Sequence, residues 1–209
     1  MSTQTSLGAK APAARRQRIL DAAVQVLKDR GFAGTRVADI ATAAGTSPAL
    51  VVYHFGTLDG VLAAALASVE DAFYDELARS IPQEIGAVQR LRLLGELGSD
   101  SDPGTRDWSL WMEIWVRALR DDQVQELRRA LDGRWRETVR ATIDLGVSEG
   151  AFTCPDPAAA ATRLAALMDG LGVQVALGDP DVPAERMAAL WLEGAAAELG
   201  LDPQQLLAP

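Results

Sequence analysis

Cysteine and histidine are nearly missing from this sequence. Its 209 residues hold one cysteine, Cys154, and one histidine, His54. A single thiol excludes an intrachain disulfide framework and any cysteine-held zinc or iron–sulfur site. A single imidazole excludes histidine-rich metal sites and makes a Ser-His-Asp triad depend on that one residue. There is no H-E-x-x-H, no G-x-S-x-G, no phosphate-cradling glycine loop and no Cys/His cluster. No enzyme activity, cofactor or metal is therefore expected. Long apolar runs are lacking as well. Met1 to Ala14 is small and polar, without the apolar core of a signal peptide. Arg163 and Asp169 interrupt the best candidate for a membrane span. The expectation is a cytoplasmic protein with no membrane partner. No segment shows the period-two alternation of a strand, and no internal repeat is present.

What is present is an ordinary globular composition, 48% hydrophobic and 23% charged. The length suits one large domain, or a small one fused to a larger one. The net charge of −9 argues against nucleic acid only when taken whole. Residues 1–55 carry seven basic side chains against three acidic ones, a net of +4, and the remainder carries −13. That asymmetry prompts a search for a nucleic-acid module at the basic end.

Residues 1–14 read as a flexible arm. Periodic sequence starts at Arg15, and Ile19, Ala22, Ala23, Val26 and Leu27 share one helical face. Gly31 ends that helix, and Phe32 packs back. Thr35 is the expected N-cap of a second helix, Arg36 to Ala44, with Val37, Ile40 and Ala41 inward. Gly45 stops it. Pro48 opens a third, very short helix that reaches His54 or Phe55. Two short helices joined by a tight glycine turn make a helix-turn-helix. Thr57 caps a fourth helix to about Ser80, broken by Pro82. Further helices read at about 84–98, 105–120, 122–150, 157–178 and 184–199, with a loop from Gly98 to Gly104. The fold class is all-α, with about nine helices. A three-helix domain at 15–56 precedes a larger helical domain at 57–209.

A helix-turn-helix lays its second helix in the major groove while the first braces the backbone. Thr46 and Ser47 can donate to phosphates or base edges, Ala49 permits close approach, and Leu50 can meet thymine methyls. Thr35 and Arg36 stand at a helix start, a natural phosphate site, and Tyr53 can bond a phosphate. Arg15, Arg16 and Arg18 can reach neighbouring backbone, or form a solvated face. His54 reads a base or structures the helix exit, and Tyr53 contacts phosphate or packs. The pattern of Thr35, Val37, Ile40, Ala41, Ala44, Gly45, Ser47, His54, Phe55 and Leu62 strongly resembles the DNA-binding domain of TetR-family transcriptional regulators. Val52 and Leu58 stand where that family often has Tyr and Lys, two usual phosphate holders. The resemblance implies a homodimer on a double-stranded operator, repressing until a small-molecule effector releases it. The competing reading is a helical protein-interaction module that has lost DNA binding.

In the rest of the chain, the Trp108–Asp121 segment, Arg134-Trp135-Arg136, Glu149 to Phe152 and Ala166 to Gly170 resemble the C-terminal domain of the BetI-type branch. Trp108, Trp111, Met112, Trp115 and Leu119 share one helical face. Together with Phe73, Trp135 and Met168 they line an effector pocket or form the domain core. Leu77, Leu94, Val139 and Ile143 are further wall candidates. An aromatic wall beside Asp107, Glu113 or Glu137 would suit a cation. Leu164, Leu167, Leu171 and Val175 on one helix, and Met187, Leu190, Trp191 and Ala195 on the next, form a dimer interface or an intrachain hairpin.

Overall fold

A computed structural model describes residues 5–81, 85–99 and 108–207. Among them are ten α-helices and no strand. They are α1 (Thr5–Gly34), α2 (Val37–Ala43), α3 (Pro48–Phe55), α4 (Leu58–Ser80), α5 (Ala87–Ser99), α6 (Trp108–Ala118), α7 (Asp122–Ser148), α8 (Pro157–Leu177), α9 (Met187–Leu199) and α10 (Pro203–Leu207). A single 3-10 turn, Ala184–Arg186, leads into α9. None of these helices alone is long and apolar enough to cross a membrane. The expected break at Pro82, the loop tip at 100–104 and Asp107 lie outside the described residues, as do residues 1–4 and the side chain of Phe32.

The chain divides into two compact units, one ending at Glu70 and one starting at Asp71. This division falls inside α4, beyond the 56/57 boundary read from the sequence. The reason is that the first turns of α4 bury Val61, Leu62, Ala65 and Leu66 within the N-terminal unit.

In the first unit α1 packs on α2, and α2 on α3. Ile19, Ala22, Ala23, Val26 and Leu27 are all buried, as their spacing predicts. Helix α1 starts at Thr5, so residues 5–14 are helical rather than the arm expected. Ala9, Lys10, Ala11, Ala13 and Ala14 are strong helix formers that offset Gly8 and Pro12 in the same stretch. Gly31 does break the helix, at φ 66° and ψ 174°. One more turn follows to Gly34. Thr35 is not the cap of α2. Arg36 holds that position, while the Thr35 hydroxyl donates to the Gly31 carbonyl at 2.6 Å. The carbonyl freed by the break at Gly31 thereby captures the hydroxyl that would otherwise have capped the next helix.

The second unit is built around α7, which packs against α5, α6 and α8; α9 lies against α5 and α8. Asp121 caps α7, its Oδ1 accepting from the Gln123 and Val124 amides at 2.9 and 3.1 Å. Asp156 caps α8 through the Ala159 amide at 3.0 Å, ahead of Pro157 at the first helical position. Two contacts fix α9 on α8. The buried Trp191 indole donates to the Leu164 carbonyl at 2.9 Å. Arg163 forks onto Glu198 at 2.7 and 2.5 Å. The hydrogen bonds from Arg163 hold the Glu198 carboxyl below its ordinary range, so the pair persists at neutral pH and is lost as pH falls through that lowered value.

Trp108 lies flat against α8 at Gly172, where a Cβ would overlap the indole ring. The ring is 4% exposed and has nowhere to retreat. Gly172→Ala is therefore expected to destabilise the protein by about 1–3 kcal/mol through overpacking, despite the higher helix propensity of alanine. A thermal melt showing a raised Tm for this variant would contradict that packing.

Candidate functional site

The helix-turn-helix is assembled from backbone bonds at one corner. The Thr46 amide donates to Ala41 O at 2.9 Å and the Gly45 amide to Thr42 O at 3.2 Å. Gly45 sits at φ 62°, which a side chain rarely tolerates. Ser47 then caps α3, its Oγ accepting from the Leu50 amide at 3.2 Å. The hydroxyl proton of Ser47 remains free to donate outward.

Helix α3 has one fully buried side chain, Val51. The opposite face, Pro48, Ala49, Val52 and Tyr53, is exposed. Tyr53 is 82% exposed and Val52 45%. Thr46, Leu50 and His54 flank this face, half-buried. The His54 ring meets the Tyr53 ring edge-on, with centroids 5.3 Å apart, and also approaches Phe55 at 6.1 Å. Arg16 stacks over Phe55, its guanidinium carbon 5.1 Å from the centroid, which ties α1 to the end of α3. Between Gly45 and Gly56 there is no Lys, Arg, Asp, Glu, Asn or Gln. The exposed face therefore offers methyl groups, a phenol and hydroxyls, and no side chain that makes a bidentate bond to a base.

Of the residues expected at this surface, Arg36, Thr46, Ser47, Ala49, Leu50, Tyr53 and His54 are exposed or half-exposed. Thr35 is not. It is 3% exposed, and its hydroxyl is committed to Gly31. Sequence reasoning missed a brace behind the surface. Asp39 accepts from the Arg36 amide at 3.0 Å with one oxygen and from Arg30 at 2.7 Å with the other. Asp39 lies three residues after Arg36, the spacing of a capping box, which becomes legible only once Arg36 rather than Thr35 holds the cap.

The second unit contains an open cavity of about 510 Å³ between α4, α5 and α7. Leu77, Ala78, Ile81, Leu94 and Ala141 supply apolar wall, with Tyr74, Arg90, Arg134, Glu137, Thr138 and Thr142 as the polar lining. None of the residues expected to form the pocket lines it. Phe73, Trp108, Trp111, Trp135 and Met168 are buried in packed core, and Met112 and Trp115 are half-buried. Leu119 lies past the end of α6 and is 82% exposed. The space beside Trp111 and Trp135 is about 10 Å³, little more than one water molecule. Of the further wall candidates, Leu77 and Leu94 do line the cavity. Its polar stripe was legible as spacing, because Arg134, Thr138, Ala141 and Thr142 lie on one face of α7.

The expected interface residues also divide. Leu164, Met187, Trp191 and Ala195 are sealed in the core of the single chain, 0–1% exposed, so they present nothing to a second copy. They face inward because α9 rests on α8 and α5 through them. Leu167, Leu171, Val175 and Leu190 stay half-exposed.

These two units define a regulator class in which a helix-turn-helix precedes a helical ligand domain. Residues 19–65 match the model of bacterial regulatory proteins of the tetR family. Residues 87–200 match the BetI-type transcriptional repressor C-terminal model. The chain belongs to the TetR family of transcriptional regulators, in its BetI-type branch. It is 30% identical to the HTH-type transcriptional regulator BetI of Burkholderia pseudomallei (strain K96243), over 93% of this chain and 94% of that one. It is 26% identical to BetI of Rhizobium meliloti (strain 1021), over 84% and 85%. Among solved structures, a transcriptional regulator from Saccharomonospora viridis in complex with choline superposes with a TM-score of 0.80. It has 29% identity, and the match covers 90% of this chain and 98% of that one. A TetR regulator from Haloarcula marismortui gives 0.79 at 26% identity, covering 90% and 99%.

Removing the Asp39 carboxylate frees the start of α2 and unpairs Arg30. Asp39→Ala is expected to cost about 1 kcal/mol of stability, the usual value of a lost helix-start contact. Equilibrium urea unfolding measures it, and an unchanged midpoint would show that the brace contributes nothing.

Proposed function

We propose that this protein is a cytoplasmic homodimeric repressor that grips a two-fold operator with α3 and releases it when a small molecule occupies the cavity of the second unit. The observation that carries the reading is α3 itself. It is anchored by Val51 and capped by Ser47, and it exposes Ala49, Val52 and Tyr53 on one face. In the groove these side chains meet thymine methyls, while Thr46, Ser47, Tyr53 and Arg36 bond phosphates and His54 closes the helix end. Thr35 acts indirectly, by fixing the entry to α2.

Dimerisation uses the half-exposed rows that remain on the last long helices. Leu167, Leu171 and Val175 lie four residues apart on α8, and Leu190 and Gly194 repeat the step on α9. Leu167 and Gly194 are in close contact, which makes the two rows one strip. A strip of this kind is self-complementary across a two-fold axis. Two α3 helices are then held at a fixed spacing, as half-site recognition requires. Release follows if a ligand binds one spacing better than the other. Helix α4 is suited to transmit that difference, since its second half (Tyr74, Leu77, Ala78) lines the cavity.

The direct test is a gel shift with the DNA upstream of the protein's own gene, followed by mapping of the protected sequence. Retardation is expected, and its absence at low salt would overturn the reading. On the mapped site, replacing thymine by uracil in the half-sites removes only methyl groups. It is expected to weaken binding about fourfold per contacted methyl, whereas Arg36→Ala is expected to weaken all sequences alike and flatten the salt dependence. The dimer is tested separately. Leu171→Glu is expected to sediment as a folded monomer and to lose operator binding, and a dimer of unchanged stability would refute the strip.

A further inference from the structure

Resting on the reading of the α4–α5–α7 cavity as the effector site, we propose that it takes an amphipathic organic anion, an aliphatic carboxylate with its head on Arg90. The volume of about 510 Å³ falls within the range of small-molecule sites. Its apolar wall, Leu77, Ala78, Ile81, Leu94 and Ala141, suits a hydrocarbon body.

The charges around it decide the head group. Glu137 is the one carboxylate in the lining, and it is already committed. Arg140 bonds it at 2.9 and 2.6 Å and holds its carboxyl below the ordinary range. Arg134 is likewise engaged, paired with Asp71 at 2.7 Å and stacked over Tyr74 at 3.7 Å. The hydroxyl of Thr138 donates to the Arg134 carbonyl, and that of Thr142 to the Thr138 carbonyl. Arg90 differs. No carboxylate among the described residues pairs with it, and its Nε–H is sealed from water without an acceptor. A buried donor left unmade is costly, and a charged one more so. The terminal N–H groups of the same guanidinium are neither sealed nor bonded among the described residues, and a carboxylate in the cavity would take them in charge-assisted bonds. A cation entering the same space would find Glu137 neutralised and Arg90 opposing it. Trp111 and Trp135, which would favour a cation, lie elsewhere, around a space too small for one.

The test uses the full-length protein and three probes of equal chain length, titrated calorimetrically: octanoate, 1-octanol and octyltrimethylammonium. Octanoate is expected to bind at least tenfold more tightly than the ammonium. Arg90→Gln is expected to remove that advantage, leaving octanol binding and ligand-free operator affinity unchanged, and Arg90→Lys to restore part of it. No octanoate binding, equal or tighter ammonium binding, or an octanoate affinity indifferent to Arg90→Gln would each overturn the assignment. An operator gel shift with octanoate separates this from the effector role. Arg90-dependent binding that leaves the operator complex intact supports the ligand class and refutes the release mechanism.

Discussion

Helices of seven and eight residues do not hold together in water by themselves. The whole N-terminal unit answers that constraint. Helices α2 and α3 together bury only Ile40, Ala41 and Val51, because the outer face of α3 is exposed. What apolar burial cannot supply must come from the ends. Gly45 sets the corner, Ser47 closes the start of α3, and Thr57 receives the Gly60 amide at 3.0 Å to start α4. Asp39 and Arg30 pin the start of α2 to α1, and Arg16 presses on Phe55 at the exit of α3. Each contact lies behind or beside the exposed face. The exposed face of α3 is thus held in place from behind and from its two ends, as a preorganised binding surface requires.

The C-terminal unit solves a different problem. Its large aromatics are spent on filling space. Phe73, Trp135 and Trp191 form a chain of ring contacts, with centroids 6.2 and 6.4 Å apart. Glycines at 98 and 172 let Trp135 and Trp108 lie close against α5 and α8. Close packing at these points leaves the open volume to the side, under the second half of α4, where the lining is mixed rather than aromatic.

This explains what the sequence could reveal. Helix register and termini were legible wherever a cap or a breaker speaks locally. Pro48 after Ser47, Pro157 after Asp156, and the spacing from Ile19 to Leu27 all mark their elements correctly. The cap at Thr35 misled, since the competing acceptor at Gly31 exists only after the chain bends. On α8 and α9 nearly every face is apolar. Periodicity alone does not separate Leu164 and Trp191, which bind the hairpin, from Leu167 and Leu171, which remain half-exposed. The cavity was invisible for a related reason, because a void is set by three helices together and leaves no mark on any one of them.

The charge distribution gains meaning from the ion pairs. In the acidic half, Arg79, Arg128, Arg134, Arg140 and Arg163 are each held by a neighbouring carboxylate. Their charge is largely cancelled where it stands. In the basic half, Arg15, Arg16, Arg18 and Arg36 are exposed, and no carboxylate among the described residues pairs with them. Among the described residues of that half only Arg30 is paired, with Asp39. Neutralising a phosphate releases counterions only if the cation is not already neutralised. Arg15, Arg16, Arg18 and Arg36 are free to do so. The net charge of the whole chain is therefore a poor guide to where it meets DNA. Outside the N-terminal unit Arg90, Arg120, Arg129, Arg136 and Arg186 likewise have no carboxylate partner among the described residues, and of these Arg90 stands at the wall of the cavity.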